Sequence, residues 1–198
     1  MRRGKLIVVS GPSGAGKSTL IRAAREAVPE LAYSVSATTR KPREGEVDGQ
    51  DYLFLSREEF ERWIEEGRFL EWAEYSDNLY GTPEEKVEEF LQNGRSVILE
   101  IELQGARQVR QGRPDAVMVF VRAPSLEETR KRLEGRATED QQALEARMTT
   151  ALSEVSAREE FDYEIVNDDR DRARGDMIET MRNIVEGGIG DAERAEDR

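Results

Sequence analysis

The chain has 198 residues and a formal net charge of −12, with 36% charged and 37% hydrophobic residues. That length suits one α/β domain with insertions and a real buried core, and the acidic balance disfavours nucleic acid or an anionic membrane as the main partner. Cysteine and histidine are both absent, which excludes disulfides, a thiolate nucleophile, a Cys-based zinc site and the commonest general base.

In chain order, Lys5–Ser10 reads as a buried strand, carrying the apolar run Leu6-Ile7-Val8-Val9. Gly11-Pro12-Ser13-Gly14-Ala15-Gly16-Lys17-Ser18 follows directly, and Thr19 continues into an amphipathic helix from about Lys17 to Val28, ended by Pro29. Strand, glycine-rich turn and helix in that order, with the spacing G-x-x-x-x-G-K-[ST], describe a loop that cradles a polyphosphate in its backbone N–H groups. Lys17 adds a mobile cation for the outer phosphates, and Ser18 offers a hydroxyl to magnesium.

Residues 33–39, YSVSATT, alternate and are predicted as one short strand. A polar loop, RKPREGEVDGQ, carries Arg40, Lys41 and Arg43 within four residues, and Asp51–Leu55 is predicted as the next strand. Ser56 reads as an N-cap with Glu59 completing a capping box, for a helix over Arg57–Glu66 that presents Phe60, Trp63 and Ile64 on one face and stops at Gly67. Phe69–Tyr75, FLEWAEY, is expected as a half-exposed strand with Phe69 and Trp72 in the core, followed by a turn at Asp77-Asn78. Thr82-Pro83 is expected to open a helix that Gly94 closes.

Ser96–Ile101 and Ala116–Val121 read as buried strands. Residues 125–160 are charged and helical in pattern, interrupted at Gly135, and Tyr163–Val166 gives a last strand before a helix over 170–186. Residues 187–198, GGIGDAERAEDR, are expected to be a disordered tail. Alternating strands and helices imply a doubly wound, mostly parallel sheet of the P-loop NTPase type. The region 34–93 breaks that rhythm and is expected as an inserted small subdomain, between core segments of about 4–33, 94–128 and 149–186, with a helical lid over about 129–148. No run approaches the roughly 20 apolar residues of a membrane span. Met1-Arg2-Arg3 leads straight into the first strand without a secretory signal, so a cytoplasmic location is expected.

Three clusters carry further chemistry. In SATTRKPREGEVDGQDY, Arg40 and Arg43 with Ser/Thr donors and a tyrosine make a bidentate-capable cradle for a phosphate monoester. They would serve equally as solvated loop charges, and spacing alone does not decide. In FLEWAEYSDNLYGT, Glu71 and Tyr80 pair a carboxylate with a hydroxyl, which suits a guanine edge whose N1–H and amino group both donate. In RKRLEGRATEDQQALEARM, Arg132, Arg136 and Arg147 lie on a segment broken by Gly135, the form of a mobile arginine-bearing lid, although most such charges are a solvated face.

Taken together, GPSGAGKST, SVSATTRKPREGEVDGQDY, FLEWAEYSDNLYGT, ILEIELQG, KRLEGRATED and IVNDD resemble, in order and spacing, the guanylate kinase family from about residue 4 to residue 186. The resemblance implies transfer of the γ-phosphoryl group of ATP to GMP with Mg2+. It implies Gly11, Pro12, Ser13, Gly14, Ala15, Gly16, Lys17, Ser18 and Thr19 around ATP, Ser18 toward magnesium and Asn167 near the adenine. Arg40, Arg43, Tyr52 and Tyr80 would hold the GMP phosphate, and Ser36, Glu71, Thr82 and Glu102 would face the guanine. Lys17, Arg40, Arg132, Arg136 and Arg147 would serve the transfer itself.

The expected partners are therefore ATP and GMP, without nucleic acid or membrane, for a monomer or small homo-oligomer. Two positions depart from the family pattern: Glu102, where Asp is usual, and Ala137, where Gly is usual. Glu100, which ends the buried strand, is open to either a structural role or one in the magnesium shell. A non-enzymatic guanylate-kinase-like module would be expected to have lost Lys17 or Ser18, and a GTPase to carry an N-K-x-D motif; neither holds here.

Overall fold

The computed structural model describes residues 3–75, 77–134, 148 and 156–187. Positions 135–147, with Arg136, Ala137 and Arg147, and the tail beyond 187 lie outside the described residues.

β1 (Leu6–Ser10) is buried along its whole length because both of its faces are covered. Ile7 and Val9 pack with Leu20, Ile21 and Ala24 of α1 (Lys17–Ala27) and with Met177 and Met181 of α6 (Arg170–Glu186). Leu6 and Val8 face the other way, onto Val87 and Leu91 of α3 (Glu84–Gln92) and Ala106 and Val109 of α4 (Leu103–Gly112). This is the continuous apolar reading of a strand inside a parallel sheet. Around it, β2 (Ala32–Tyr33), β7 (Val97–Glu100), β8 (Val117–Arg122) and β9 (Tyr163–Val166) complete a parallel sheet in the order β2-β7-β1-β8-β9. The expected doubly wound architecture is present.

A second sheet is built from β3 (Ala37–Thr38), β4 (Leu53–Phe54), β5 (Phe69–Tyr75) and β6 (Asn78–Pro83), in the order β4-β3-β6-β5. α2 (Arg57–Glu65) covers it, with Ser56 Oγ accepting the Glu59 N–H at 3.1 Å as its cap. Phe60 of α2 is fully buried and stacks on Phe69 with ring centroids 4.5 Å apart.

Three local expectations are corrected, and one helix is added. The single strand predicted over 33–39 is two: Ala32 and Tyr33 pair with Val97 and Ile98 in the parallel sheet, while Ala37 and Thr38 pair with β4 and β6 in the other. Alternation reports a β-forming segment but not its partners. Thr82-Pro83 does not open a helix: both residues belong to β6, and α3 starts at Glu84 with Pro83 as N-cap. The sequence NLYGTP is a poor strand on propensity, but it is held between β3 and β5. The stretch 103–112, for which no element is predicted, is α4. Trp72, expected in the core, is 38% exposed, and its neighbour Glu71 is the buried one.

Within 125–160, α5 occupies Leu126–Glu134 and a 3-10 turn Ala157–Glu160. No helix among the described residues is long and apolar enough to cross a membrane.

Candidate functional site

The glycine-rich loop joins β1 to α1 and turns tightly, Ala15 N–H donating to the Pro12 carbonyl at 3.1 Å. Gly16 is the N-cap of α1 at φ 93°, and a Cβ there would lie 2.3 Å from Asn167 Nδ2. Both the left-handed backbone and the contact exclude a side chain. The first turn of α1 has neither a side-chain cap nor an acidic residue of its own, and its positive end borders the cleft. Lys17 Nζ folds back on the loop, donating to the carbonyls of Gly11 at 2.5 Å and Pro12 at 3.4 Å.

Over this loop lies a cleft of about 470 Å³, lined by Ser13, Lys17, Thr19, Tyr33 and Glu100 among others. Ser18 Oγ donates to Glu100 Oε1 at 2.7 Å, and the Tyr33 hydroxyl donates to the other carboxylate oxygen at 3.5 Å. Burial first, and the adjacent Glu100 charge second, push the Tyr33 hydroxyl well above its ordinary range.

Asn167 sits behind the loop. Its Nδ2 donates to the Ala15 carbonyl at 2.7 Å, its N–H to the Arg122 carbonyl, and its own carbonyl accepts Arg132 Nη2 at 2.9 Å. Arg132 Nε is held by Glu128 at 2.9 Å, one turn earlier on α5. One residue thus ties β9, the loop and α5 together.

A second cavity, of about 220 Å³, adjoins the first and shares Ser36, Tyr52, Glu100, Ile101 and Glu102 with it. Its inner wall is Glu71, Tyr80 and Gly105. Glu71 is only 5% exposed, and Thr82 Oγ1, itself buried, donates to its Oε1 at 2.6 Å. Burial raises the Glu71 carboxyl to about 7, against the lowering effect of the Thr82 hydrogen bonds. Glu102 is exposed, at the N-cap of α4, and its side chain makes no capping bond.

The phosphate cradle expected from Arg40, Arg43, Tyr52 and Tyr80 is assembled only in part. Arg40 lies over the rings of Tyr52 and Phe54, 5.3 and 5.8 Å from their centroids, and Tyr52 meets Tyr80 edge-on at 6.1 Å. Arg40 is also paired with Glu46, whose carboxylate accepts the Arg43 backbone N–H at 2.7 Å and is held below its ordinary range by those contacts. Arg43 itself is exposed. Arg136 and Arg147 lie outside the described residues.

Sequence reasoning missed Glu46, Tyr33 and Gly105. Glu46 is six residues from Arg40 in a loop that no periodicity governs. Tyr33 lies on β2, the strand paired with the β7 that carries Glu100 but 67 residues away along the chain, and Gly105 belongs to the helix for which no element is predicted.

The guanylate kinase family model matches residues 3–184. The chain is 77% identical over 188 residues to a guanylate kinase of Rubrobacter xylanophilus, covering 95% of this chain and 98% of that one. It is 51% identical to a guanylate kinase of Synechocystis, covering 90% and 94%. Among solved structures, the crystal structure of guanylate kinase from Anaplasma phagocytophilum matches with a TM-score of 0.73 at 33% identity, over 92% of this chain and 86% of that one. With a phosphate loop beside a cavity walled by a buried carboxylate, and a match to these proteins along nearly its whole length, the chain belongs to the guanylate kinase family.

Proposed function

We propose that the protein transfers the γ-phosphoryl group of ATP to GMP, giving ADP and GDP. The observation that carries this reading is that the two cavities adjoin. The one above the phosphate loop shares Ser36, Tyr52, Glu100, Ile101 and Glu102 with the one walled by Glu71. A donor triphosphate and an acceptor monophosphate can thus meet end to end.

In this reading the loop N–H groups and the positive end of α1 take the ATP phosphates, and Lys17 leaves the Gly11 and Pro12 carbonyls for the outer phosphates. Glu71, with Thr82 beside it, receives the N1–H and amino donors of guanine, flanked by Ser36 and Glu102. A donor-poor base such as adenine would leave the carboxylate buried without partners. Arg40, Arg43, Tyr52 and Tyr80 take the GMP phosphate, and Asn167 lies on the adenine side.

An ionised oxygen of the GMP phosphate forms the new bond to the γ-phosphorus, while the bond to the β–γ bridging oxygen breaks and its electron pair leaves with ADP. The nucleophile is already an anion near neutral pH, so the absence of histidine is no handicap. Positioning and charge neutralisation do the chemistry, with Arg132, Arg136 and Arg147 assigned to the charge in transit.

The Ser18 hydroxyl and the Glu100 carboxylate, 2.7 Å apart, are hard oxygen donors of the kind magnesium takes. Magnesium, when bound, would neutralise charge on the phosphates. ATP and GMP both being metabolites of the cytoplasm, we place the enzyme there.

A coupled ADP-release assay with ATP, magnesium and each nucleoside monophosphate in turn tests the reading. GMP is expected to be the preferred acceptor and AMP a poor one. No ADP formation above the GMP-free blank would overturn it.

A further inference from the structure

We propose that Gly105 and Gln108, on one face of α4, are positioning residues that set the Glu71 carboxylate for guanine recognition. The proposal rests on the reading of Glu71 as the guanine-facing group and adds the elements that hold it there.

Gly105 occupies the third position of α4 and is buried, with no left-handed backbone to account for a glycine. Helix propensity favours Ala at such a position. The reason for glycine lies across the interface: a Cβ on residue 105 would stand 2.3 Å from Glu71 Oε2 and 3.0 Å from its Cδ. The missing side chain is a notch, and the carboxylate lies in it. Thr82 fixes Oε1 from the other side at 2.6 Å, so the two oxygens are located by different elements.

Gln108 lies three residues further on the same helix face. Its Oε1 accepts the Trp72 N–H at 3.2 Å and its Nε2 donates to the Trp72 carbonyl at 2.8 Å. β5 is an edge strand, with β6 on one side only. The Gln108 amide therefore acts as a one-residue strand partner for that edge, next to Glu71. α4 thereby holds both the carboxylate and the backbone beside it.

α4 also leads directly out of β7, the strand that pairs with β1 and ends at Glu100, the partner of Ser18. A single segment, Glu100 to Gln108, thus touches the phosphate loop at one end and the base-recognising carboxylate at the other. It registers the acceptor base against the donor phosphates.

The test measures kcat, GMP KM, ATP KM and thermal midpoint for Gly105→Ala, Gln108→Leu, Glu71→Asp and the double variant Gly105→Ala/Glu71→Asp. Gly105→Ala is expected to raise GMP KM about tenfold, the scale of one compromised hydrogen bond to a charged group, with kcat within about twofold and ATP KM unchanged. Gln108→Leu is expected to raise GMP KM about threefold with the same pattern. In the Glu71→Asp background the shorter side chain no longer reaches the notch, so Gly105→Ala should add less than about twofold.

A wild-type GMP KM for Gly105→Ala, or an equal penalty in both backgrounds, overturns the proposal. An unchanged GMP KM for Glu71→Asp instead overturns the guanine reading on which it rests, and the proposal with it. If Gly105→Ala does not fold, Gln108→Leu carries the test, and an unchanged GMP KM there overturns the proposal.

Discussion

Arg40 grips Glu46 with both terminal nitrogens, Nη1 lying 3.0 Å from Oε2 and Nη2 2.8 Å from Oε1. The pair is largely shielded, at 14% and 19% side-chain exposure, and the guanidinium plane lies over two aromatic rings. A lysine keeps the charge but neither the fork nor the stacking. Arg40→Lys is expected to raise GMP KM about tenfold or more while leaving ATP KM unchanged, as read from initial rates with each substrate varied in turn.

Thr82 has a single described side-chain bond, and it is to a buried carboxylate. Thr82→Val removes it at nearly constant volume. The lost bond to a charged group is worth about 1.5–3 kcal/mol, so GMP KM should rise between about 10-fold and 100-fold. Isothermal titration with GMP gives the same quantity without turnover.

The pH dependence of Glu71 has a definite sign. Its folded value, about 7, lies above its ordinary value of 4.5 because the ionised form is buried. The folded protein therefore binds the extra proton between those values, and stability from this group is fully present below pH about 4.5 and lost as pH rises through about 7. GMP binding has the opposite preference, because guanine donors require the ionised carboxylate. GMP affinity is expected to improve as pH rises through 7, with proton release on binding. Calorimetry in buffers of different ionisation enthalpy measures that release. Glu71→Gln should show neither the release nor the stability slope.

Lys17 contacts only carbonyls of its own loop among the described residues, so its removal should spare the fold. Lys17→Met is expected to lower kcat by about 100-fold or more, the scale for deleting one preorganised charge-stabilising group. An unchanged thermal midpoint measured alongside separates this from unfolding.

The smaller sheet depends on Phe60, fully buried against Phe69, Leu79 and Ala37. Phe60→Ala is expected to destabilise the protein by about 3–5 kcal/mol, read from a denaturant midpoint. GMP KM should rise more than ATP KM, since Ser36, Glu71 and Tyr80 all lie on or beside that sheet.

The sequence by itself determined the features that depend on residues close along the chain. GPSGAGKS after a buried strand specified the phosphate loop, because the tight turn and the exposed N–H groups are local consequences of glycine spacing. The Ser56 cap, the Gly67 and Gly94 stops and the apolar strands were legible for the same reason. Tertiary structure decided whatever depends on partners. NLYGTP is a strand only because β3 and β5 flank it, and YSVSATT divides because its two ends find different sheets. On β5 alone nothing tells which of Glu71 and Trp72 faces inward. The notch at Gly105 and the clamp at Gln108 bury the carboxylate and leave the indole outside. Those contacts span more than 30 residues of chain, and no local pattern encodes them.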